Sequence, residues 1–70
     1  MNYEILANAI IGQAAKDYRW ARSALCKAAE HVAATAMRSE TEQFFRSAWF
    51  GQLTSIDGEW LLEKLEGEFV

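Results

Sequence analysis

The sequence lacks most of the residues that build metal sites and disulfide frameworks. Its 70 residues include one cysteine, one histidine, four glycines and no proline. A single cysteine excludes an internal disulfide, and one cysteine with one histidine falls short of the four ligands of a structural zinc site. A chain of this length buries only about 60% of its unfolded surface. Extra stability must therefore come from an aromatic-rich core or from a second subunit.

Positive charge is also scarce. The formal net charge is −3, which disfavours general nucleic-acid binding because phosphate contacts need a basic surface. The first four residues contain no basic segment, and Asn8 interrupts the apolar stretch from Ile5 to Ile11. Neither a signal peptide nor a membrane span is therefore expected. Together with the lone cysteine, these features predict a protein of the reducing cytoplasm.

What the sequence does contain is a long helical period. Apolar residues recur at steps of three and four from Tyr3 to Met37, as they do along one face of an α-helix. The members of this stripe are Ala7, Ile11, Ala14, Tyr18, Ala21, Leu25, Ala28 and Val32. Without proline, the segment can form a single helix of about 45 Å, at 1.5 Å per residue. The alternative is a break between Arg22 and Ala29.

Two shorter helices are predicted after the long one. Ser39 and Glu42 have the spacing of a capping box, and the helix that they open directs Phe45 and Trp49 towards the core. Asp57 is a suitable N-cap for the last helix. The apolar face of that helix contains Trp60, Leu61, Leu62, Leu65 and Phe69. No segment has the alternating β-branched pattern of a strand.

These elements predict a single all-α domain over residues 1–70. Its long N-terminal helix, continuous or broken near residues 22–29, packs against the two shorter C-terminal helices. A helix longer than its two partners cannot bury its whole apolar stripe within one chain. We therefore expect the domain to self-associate through the first helix and to form a homo-oligomer.

The few reactive side chains do not form a catalytic pair. Cys26 and His31 are five residues apart, about 140° around a helix, so they point to different faces. Asp57, Glu59 and Glu63 are better explained by helix capping and by the helix dipole than by general acid–base chemistry. We therefore expect a protein that is not an enzyme and that uses no cofactor and no metal.

Two segments combine arginine with aromatic residues and supply the candidate binding residues. The first contains Tyr18, Arg19, Trp20 and Arg22, a mixture that suits stacking on a nucleotide base and pairing with phosphate. Trp20 fits neither the core stripe nor a polar face, so it is also a candidate interface residue. The alternative places Tyr18 in the core and both arginines in solvent.

The second segment is richer still in aromatic side chains. Its aromatic residues are Phe44, Phe45, Trp49 and Phe50. If Phe45 and Trp49 are core residues, the other two must meet another element or another subunit. Arg46 lies among them, and arginine beside aromatic residues is typical of an interaction hot spot. The alternative for Arg46 is an ion pair with Glu42 or Asp57.

Two blocks of the sequence resemble small proteins encoded by phages and prophages of Gram-positive gut bacteria. The first block runs from Ile10 to Arg19. The second, more specific block runs from Glu42 to Leu61 and has the pattern FFRSxWFxxLTxxDGExL. Together they cover somewhat under half of the chain. That family has no established function, so the resemblance assigns no site residues.

The resemblance implies a phage-encoded accessory protein in the cytoplasm of a bacterial host cell. Three roles remain open. The protein binds a host protein, for example a defence effector that it inhibits, through exposed Trp20, Phe44 and Phe50. Alternatively, a small oligomer sequesters a nucleotide immune signal by means of the arginines in the two segments. The third role is that of a structural or assembly component of the virion.

Overall fold

A computed structural model describes residues 3–69, and all of their regular structure is helical. The helices are α1 (Tyr3–Lys27), α2 (Val32–Phe45), α3 (Ala48–Leu53) and α4 (Gly58–Gly67). The prediction of an all-α fold with a long N-terminal helix is confirmed for this part of the chain. Residues 1, 2 and 70 of the predicted domain lie outside it. None of the described helices combines the length and the apolar character needed to cross a membrane.

The long helical period is broken by a short turn. α1 ends at Lys27, inside the predicted window of residues 22–29, and α2 begins at Val32. His31 caps α2, because its backbone is extended and its Nδ1 accepts a hydrogen bond from the Ala34 N–H at 3.1 Å. The turn folds α2 back along α1, and these two helices share the most extensive contact in the molecule.

The helix start predicted at Ser39 is wrong, because Ser39 lies in the middle of α2. The helix predicted to carry both Phe45 and Trp49 is interrupted instead. Ser47 causes the interruption: its hydroxyl donates to the Phe44 carbonyl at 2.7 Å and accepts from the Phe50 N–H at 3.2 Å. One serine side chain therefore bonds the end of α2 to the start of α3.

The predicted start of the last helix is confirmed. The Asp57 carboxylate accepts a hydrogen bond from the Glu59 N–H at 3.0 Å and caps α4. Gly58, the first residue of α4, passes so close to α2 that a Cβ atom there would lie 1.7 Å from the Phe45 carbonyl oxygen. Glycine is therefore needed at this position, because it lets the two backbones approach.

The core collects residues from all four helices. Its buried cluster consists of Tyr18, Phe45, Phe50, Leu62 and Leu65. The predicted α1 stripe is buried at Ala7, Tyr18 and Ala21. Beyond the end of α1 the prediction is wrong, because Val32 is 82% exposed. At the start of α1 the Tyr3 hydroxyl donates to the Gln52 carbonyl of α3 at 3.2 Å, but the side chains of Tyr3, Ile5 and Leu6 are exposed. Part of the α1 stripe is therefore covered within the chain, and the self-association expected from the length of α1 stays a prediction.

The core positions of two neighbouring aromatic residues are exchanged relative to the prediction. Trp49 is 52% exposed, whereas Phe50 is 2% exposed. An unbroken helix would place Trp49 one turn after Phe45 on the same face. The interruption at Ser47 rotates α3 relative to α2, so that Phe50 points inwards instead. The expected exposure of Phe50 and the expected burial of Trp49 are both wrong.

Candidate functional site: an open groove beside α1 and α2

α4 covers one flank of the α1–α2 pair, which we call the α4 flank. Arg22 is the most enclosed cation there, with 16% of its side chain exposed. It donates to the Tyr18 hydroxyl at 3.0 Å and lies 3.8 Å from a Glu66 carboxylate oxygen. Its guanidinium also faces the rings of Tyr18 and Phe69 at 5.9 and 5.6 Å. Burial raises the pKa of Tyr18, although the hydrogen bond from Arg22 opposes this effect.

Arg19 is also engaged on this flank. Its guanidinium donates to both carboxylate oxygens of Glu68, at 2.9 and 3.1 Å. This bidentate pairing raises the pKa of Arg19 and lowers the pKa of Glu68. The interaction joins the fifth turn of α1 to the residue that follows α4.

Arg38 on α2 and Arg46, which follows α2, also form ion pairs. Arg38 pairs with Glu42 at 3.1 Å and lies 3.8 Å from Glu66. Arg46 pairs with Glu59 and lies 3.7 Å from Glu42. The predicted pair of Arg46 with Glu42 is thus confirmed, whereas Glu59 takes the place of Asp57. All four arginines therefore face carboxylates. An anionic ligand that bound an arginine would have to displace the glutamate paired with it.

The other flank of the α1–α2 pair carries an open groove of about 370 Å³, and we call it the open flank. α1 contributes Ile10, Gln13, Ala14 and Asp17, α2 contributes Met37, Glu40, Thr41 and Phe44, and α3 contributes Trp49. On α2, Arg38 and Glu40 are two residues apart and thus point about 160° apart around the helix. On α1, Arg22 and Asp17 are about 140° apart. The groove and the α4 ion pairs therefore lie on opposite flanks.

The aromatic end of the groove is backed by the core. Trp49 meets the Phe44 ring edge-on, with 5.5 Å between ring centroids. Phe44 is partly buried, and its ring also contacts Phe45 and Phe50 at 5.4 and 5.6 Å. Aromatic pairs of this geometry add to the stabilisation that burial alone provides. The floor under Trp49 is therefore formed in the free protein.

The groove also contains two carboxylates that lack a cation. Asp17 accepts a hydrogen bond from the Gln13 amide at 2.9 Å. Among residues 3–69, the ion pairs involve Arg19, Arg22, Arg38 and Arg46, and none of them includes Asp17 or Glu40. The charge on the open flank is therefore uncompensated, in contrast to the α4 flank.

The structure does not bring the sequence-predicted binding residues together. Those residues are Tyr18, Arg19, Trp20, Arg22, Phe44, Arg46 and Phe50. Tyr18 and Phe50 are in the core, and the three arginines are paired with carboxylates. Trp20 is 48% exposed, but it lies near the interhelical turn, where its ring meets His31 edge-on at 5.7 Å. Phe44 is the member of the set that lines the groove.

The groove residues that the sequence analysis missed lie mostly on helical faces assigned elsewhere. Trp49 was expected in the core, and Ile10 lies beside the predicted α1 stripe, next to Ile11. Met37 and Glu40 lie in the segment that was divided between two helices. The Cys26 thiol is exposed rather than packed, and His31 acts as a helix cap. Within residues 3–69, no three His, Cys, Asp or Glu side chains are placed to hold a metal ion.

No protein-family model, curated protein or solved structure matches this chain. The groove on the open flank and the ion pairs on the α4 flank are therefore the observations from which a function can be proposed.

Proposed function

We propose that this chain is a non-enzymatic accessory protein that binds another protein through the groove on the open flank. The observation that carries the proposal is Trp49, half exposed at an apolar groove and backed by the partly buried Phe44. Exposed tryptophan beside a preformed apolar pocket is the usual make-up of an interaction hot spot. When a partner covers an exposed tryptophan, apolar surface is removed from water, and this transfer favours association.

The resemblance to phage and prophage proteins supports a host protein as the partner. We propose that binding antagonises a host process or a defence system in the bacterial cytoplasm. A groove partner encoded by the phage itself would instead favour the alternative of a virion or assembly component. The identity of the captured protein therefore separates these two roles.

Sequestration of a nucleotide signal is less well supported. Arg19, Arg22 and Arg46, the cations proposed for it, are paired with carboxylates in the folded chain. A phosphate group would have to replace those carboxylates and would leave them next to its own charge. Thermal-shift measurements with a panel of nucleotide second messengers test this alternative, and we expect no stabilisation by any of them.

The groove proposal is tested by comparing two tryptophan substitutions. Trp49 and Trp60 are similarly exposed, but Trp60 lies on α4 with the Lys64 ammonium over its ring. We expect Trp49→Ala to weaken partner binding by about 30-fold, the effect of losing a hot-spot residue, and Trp60→Ala to leave it unchanged.

The measurement is quantitative affinity capture from the host lysate with the two variants and the unmodified protein. A partner that binds through the groove is retained by the unmodified protein and by Trp60→Ala, and it is lost with Trp49→Ala. Equal retention of every captured protein by both variants would contradict the proposed function.

A further inference from the structure

We propose that the segment held in this groove is a basic amphipathic helix of the partner protein. This inference rests on the proposed function, because it names the chemistry of the partner at the same groove. It follows from the backbone of the groove walls, the distribution of charge along them and the residues that a second copy could offer.

The groove walls favour a helix as the occupant. Both walls are α-helices, whose interior backbone groups bond within the helix. They therefore offer no free edge to which an extended strand could add. Ile10 and Asp17 mark the ends of the α1 wall and are about 10 Å apart along the axis, or two helical turns. A partner helix would fill that length with apolar side chains at positions i, i+3 or i+4, and i+7.

Such a helix would occupy a position equivalent to that of α4. α4 packs across α1 and α2 on one flank and contributes Leu62 and Leu65 to the core. The partner helix would lie across the same two helices on the opposite flank, with its apolar side chains against Ile10, Phe44 and Trp49.

The charge of the groove selects a basic helix. Because α2 folds back along α1, Asp17 and Glu40 lie towards the interhelical turn, whereas Ile10, Phe44 and Trp49 lie towards the other end. A neutral apolar partner would remove water from both carboxylates without replacing their hydrogen bonds, which is unfavourable. Lysine or arginine about two turns from the apolar residues of the partner would compensate them.

A second copy of this chain does not supply that charge. The exposed large apolar residues on its α1 are Tyr3, Ile5, Leu6 and Trp20. On the groove side of the helix the first three are followed by Asp17. On that side the second copy adds a carboxylate, and its arginines are already paired. Its α1 lysines, Lys16 and Lys27, lie about 80–100° around the helix from Asp17.

The experiment uses two fluorescein-labelled helical peptides with the same leucines at i, i+3 and i+7. Lysines flank the leucines in one peptide and glutamates replace those lysines in the other. By fluorescence anisotropy at low salt, we expect the basic peptide to bind about tenfold more tightly, as two partly exposed ion pairs would give. Added salt should reduce this preference, because it screens exposed charges.

A charge reversal in the protein provides the decisive comparison. In the double variant Asp17→Lys/Glu40→Lys, the preference should reverse in favour of the acidic peptide. The control, Glu30→Lys/Glu63→Lys, changes the net charge by the same amount at exposed positions outside the groove. It should retain a preference for the basic peptide. A reversal in the control as well would show that net charge, rather than the groove, selects the peptide, and would overturn the inference.

The remaining outcomes separate this inference from the proposed function. Equal affinity for the two peptides, lost in Trp49→Ala, would overturn the basic helix but support the groove as a binding site. Peptide binding that survives Trp49→Ala would contradict the groove itself. No binding of the basic peptide at about 1 mM, a threshold near −4 kcal/mol, would overturn the inference. So would a dimer, seen by sedimentation, that Trp49→Ala dissociates, because a second copy would then occupy the groove.

Discussion

The two flanks of the α1–α2 pair differ in how much of their apolar surface is covered and in how many of their charges are paired. On the α4 flank, Tyr18 and Phe45 are buried with leucines of α4, and arginines on α1 and α2 meet glutamates on or next to α4. On the open flank, Phe44 and Trp49 border a groove in which Asp17 and Glu40 lack cations. The same two helices therefore have one completed surface and one incomplete surface.

The difference follows from how the described helices are arranged. After α1 and α2 have paired, the remaining described residues contain one more helix of ten residues, α4, and the six-residue α3. α4 packs on one flank, whereas α3 contributes Trp49 to the edge of the groove on the other. The amphipathic faces of a helix pair extend to both flanks, which is why the proposed partner is assigned to the second flank.

The largest expected effect comes from truncating an aromatic residue on each flank. Phe45→Ala should lower the free energy of unfolding by about 3–5 kcal/mol, because it leaves a cavity in the buried cluster. Trp49→Ala should lower it by only about 1 kcal/mol, because about half of the Trp49 side chain is already exposed and its ring makes one edge contact with Phe44. Urea denaturation monitored by circular dichroism measures both. A loss of similar size in the two variants would contradict the division into a completed and an open flank.

Adding one methyl group at Gly58 should disrupt the contact between α4 and α2. In Gly58→Ala the new Cβ would lie 1.7 Å from the Phe45 carbonyl oxygen, and no side-chain rotation relieves a clash with backbone. We expect a loss of about 3 kcal/mol. Gly51→Ala is the control, because its Cβ would have nothing within 4 Å. It should stabilise α3 by about 0.5–1 kcal/mol. Denaturant midpoints that fall equally in both variants would show that α4 does not dock through Gly58.

The sequence predicted the helices better than their breaks. The apolar period and the absence of proline were sufficient for the all-α fold, and Asp57 was identified as a cap from its residue type. The cap at His31 was missed because histidine is not among the preferred N-cap residues. Ser47 was missed because a capping serine inside an apolar helical pattern has no separate local signal.

The candidate site was harder to predict than the fold, for the same reason. An interruption of two residues between α2 and α3 decides whether Trp49 or Phe50 faces the core, and no local propensity determines that rotation. The arginines were identified as candidate binding residues because they lie beside aromatic residues in the sequence, whereas the carboxylate partners of Arg19 and Arg22 lie far away along the chain. Arg19 and Glu68, for example, are 49 residues apart.

Removing one charge from each flank should have opposite, smaller effects. Arg38→Gln breaks the pairs with Glu42 and Glu66 and should lower the free energy of unfolding by about 0.5–1 kcal/mol, as expected for partly exposed pairs. Glu40→Gln removes an uncompensated carboxylate from a chain of net charge −3. It should leave stability unchanged or raise it slightly. Thermal unfolding at low ionic strength tests the difference, and a destabilised Glu40→Gln variant would indicate a cation partner for Glu40.

The smallest expected effect is a pH dependence on the α4 flank. The hydrogen bonds from Arg19 lower the pKa of Glu68 in the folded protein. A carboxyl group with a lowered folded pKa stabilises the fold above its ordinary value, and this contribution is lost as pH falls through the folded pKa. Arg19→Gln should therefore return the Glu68 pKa towards its ordinary value, as measured by carbon-detected NMR titration.

Lys16→Gln provides the matched control for this titration. It removes a cation from α1 that belongs to none of the ion pairs among the described residues. The Glu68 pKa should then stay where it is in the unmodified protein. If Lys16→Gln raised the Glu68 pKa as much as Arg19→Gln does, the shift would reflect the overall charge of the protein. If only Arg19→Gln raises the Glu68 pKa, the bidentate pair itself holds Glu68 ionised. Both members of the pair are then engaged with each other and not available to a ligand.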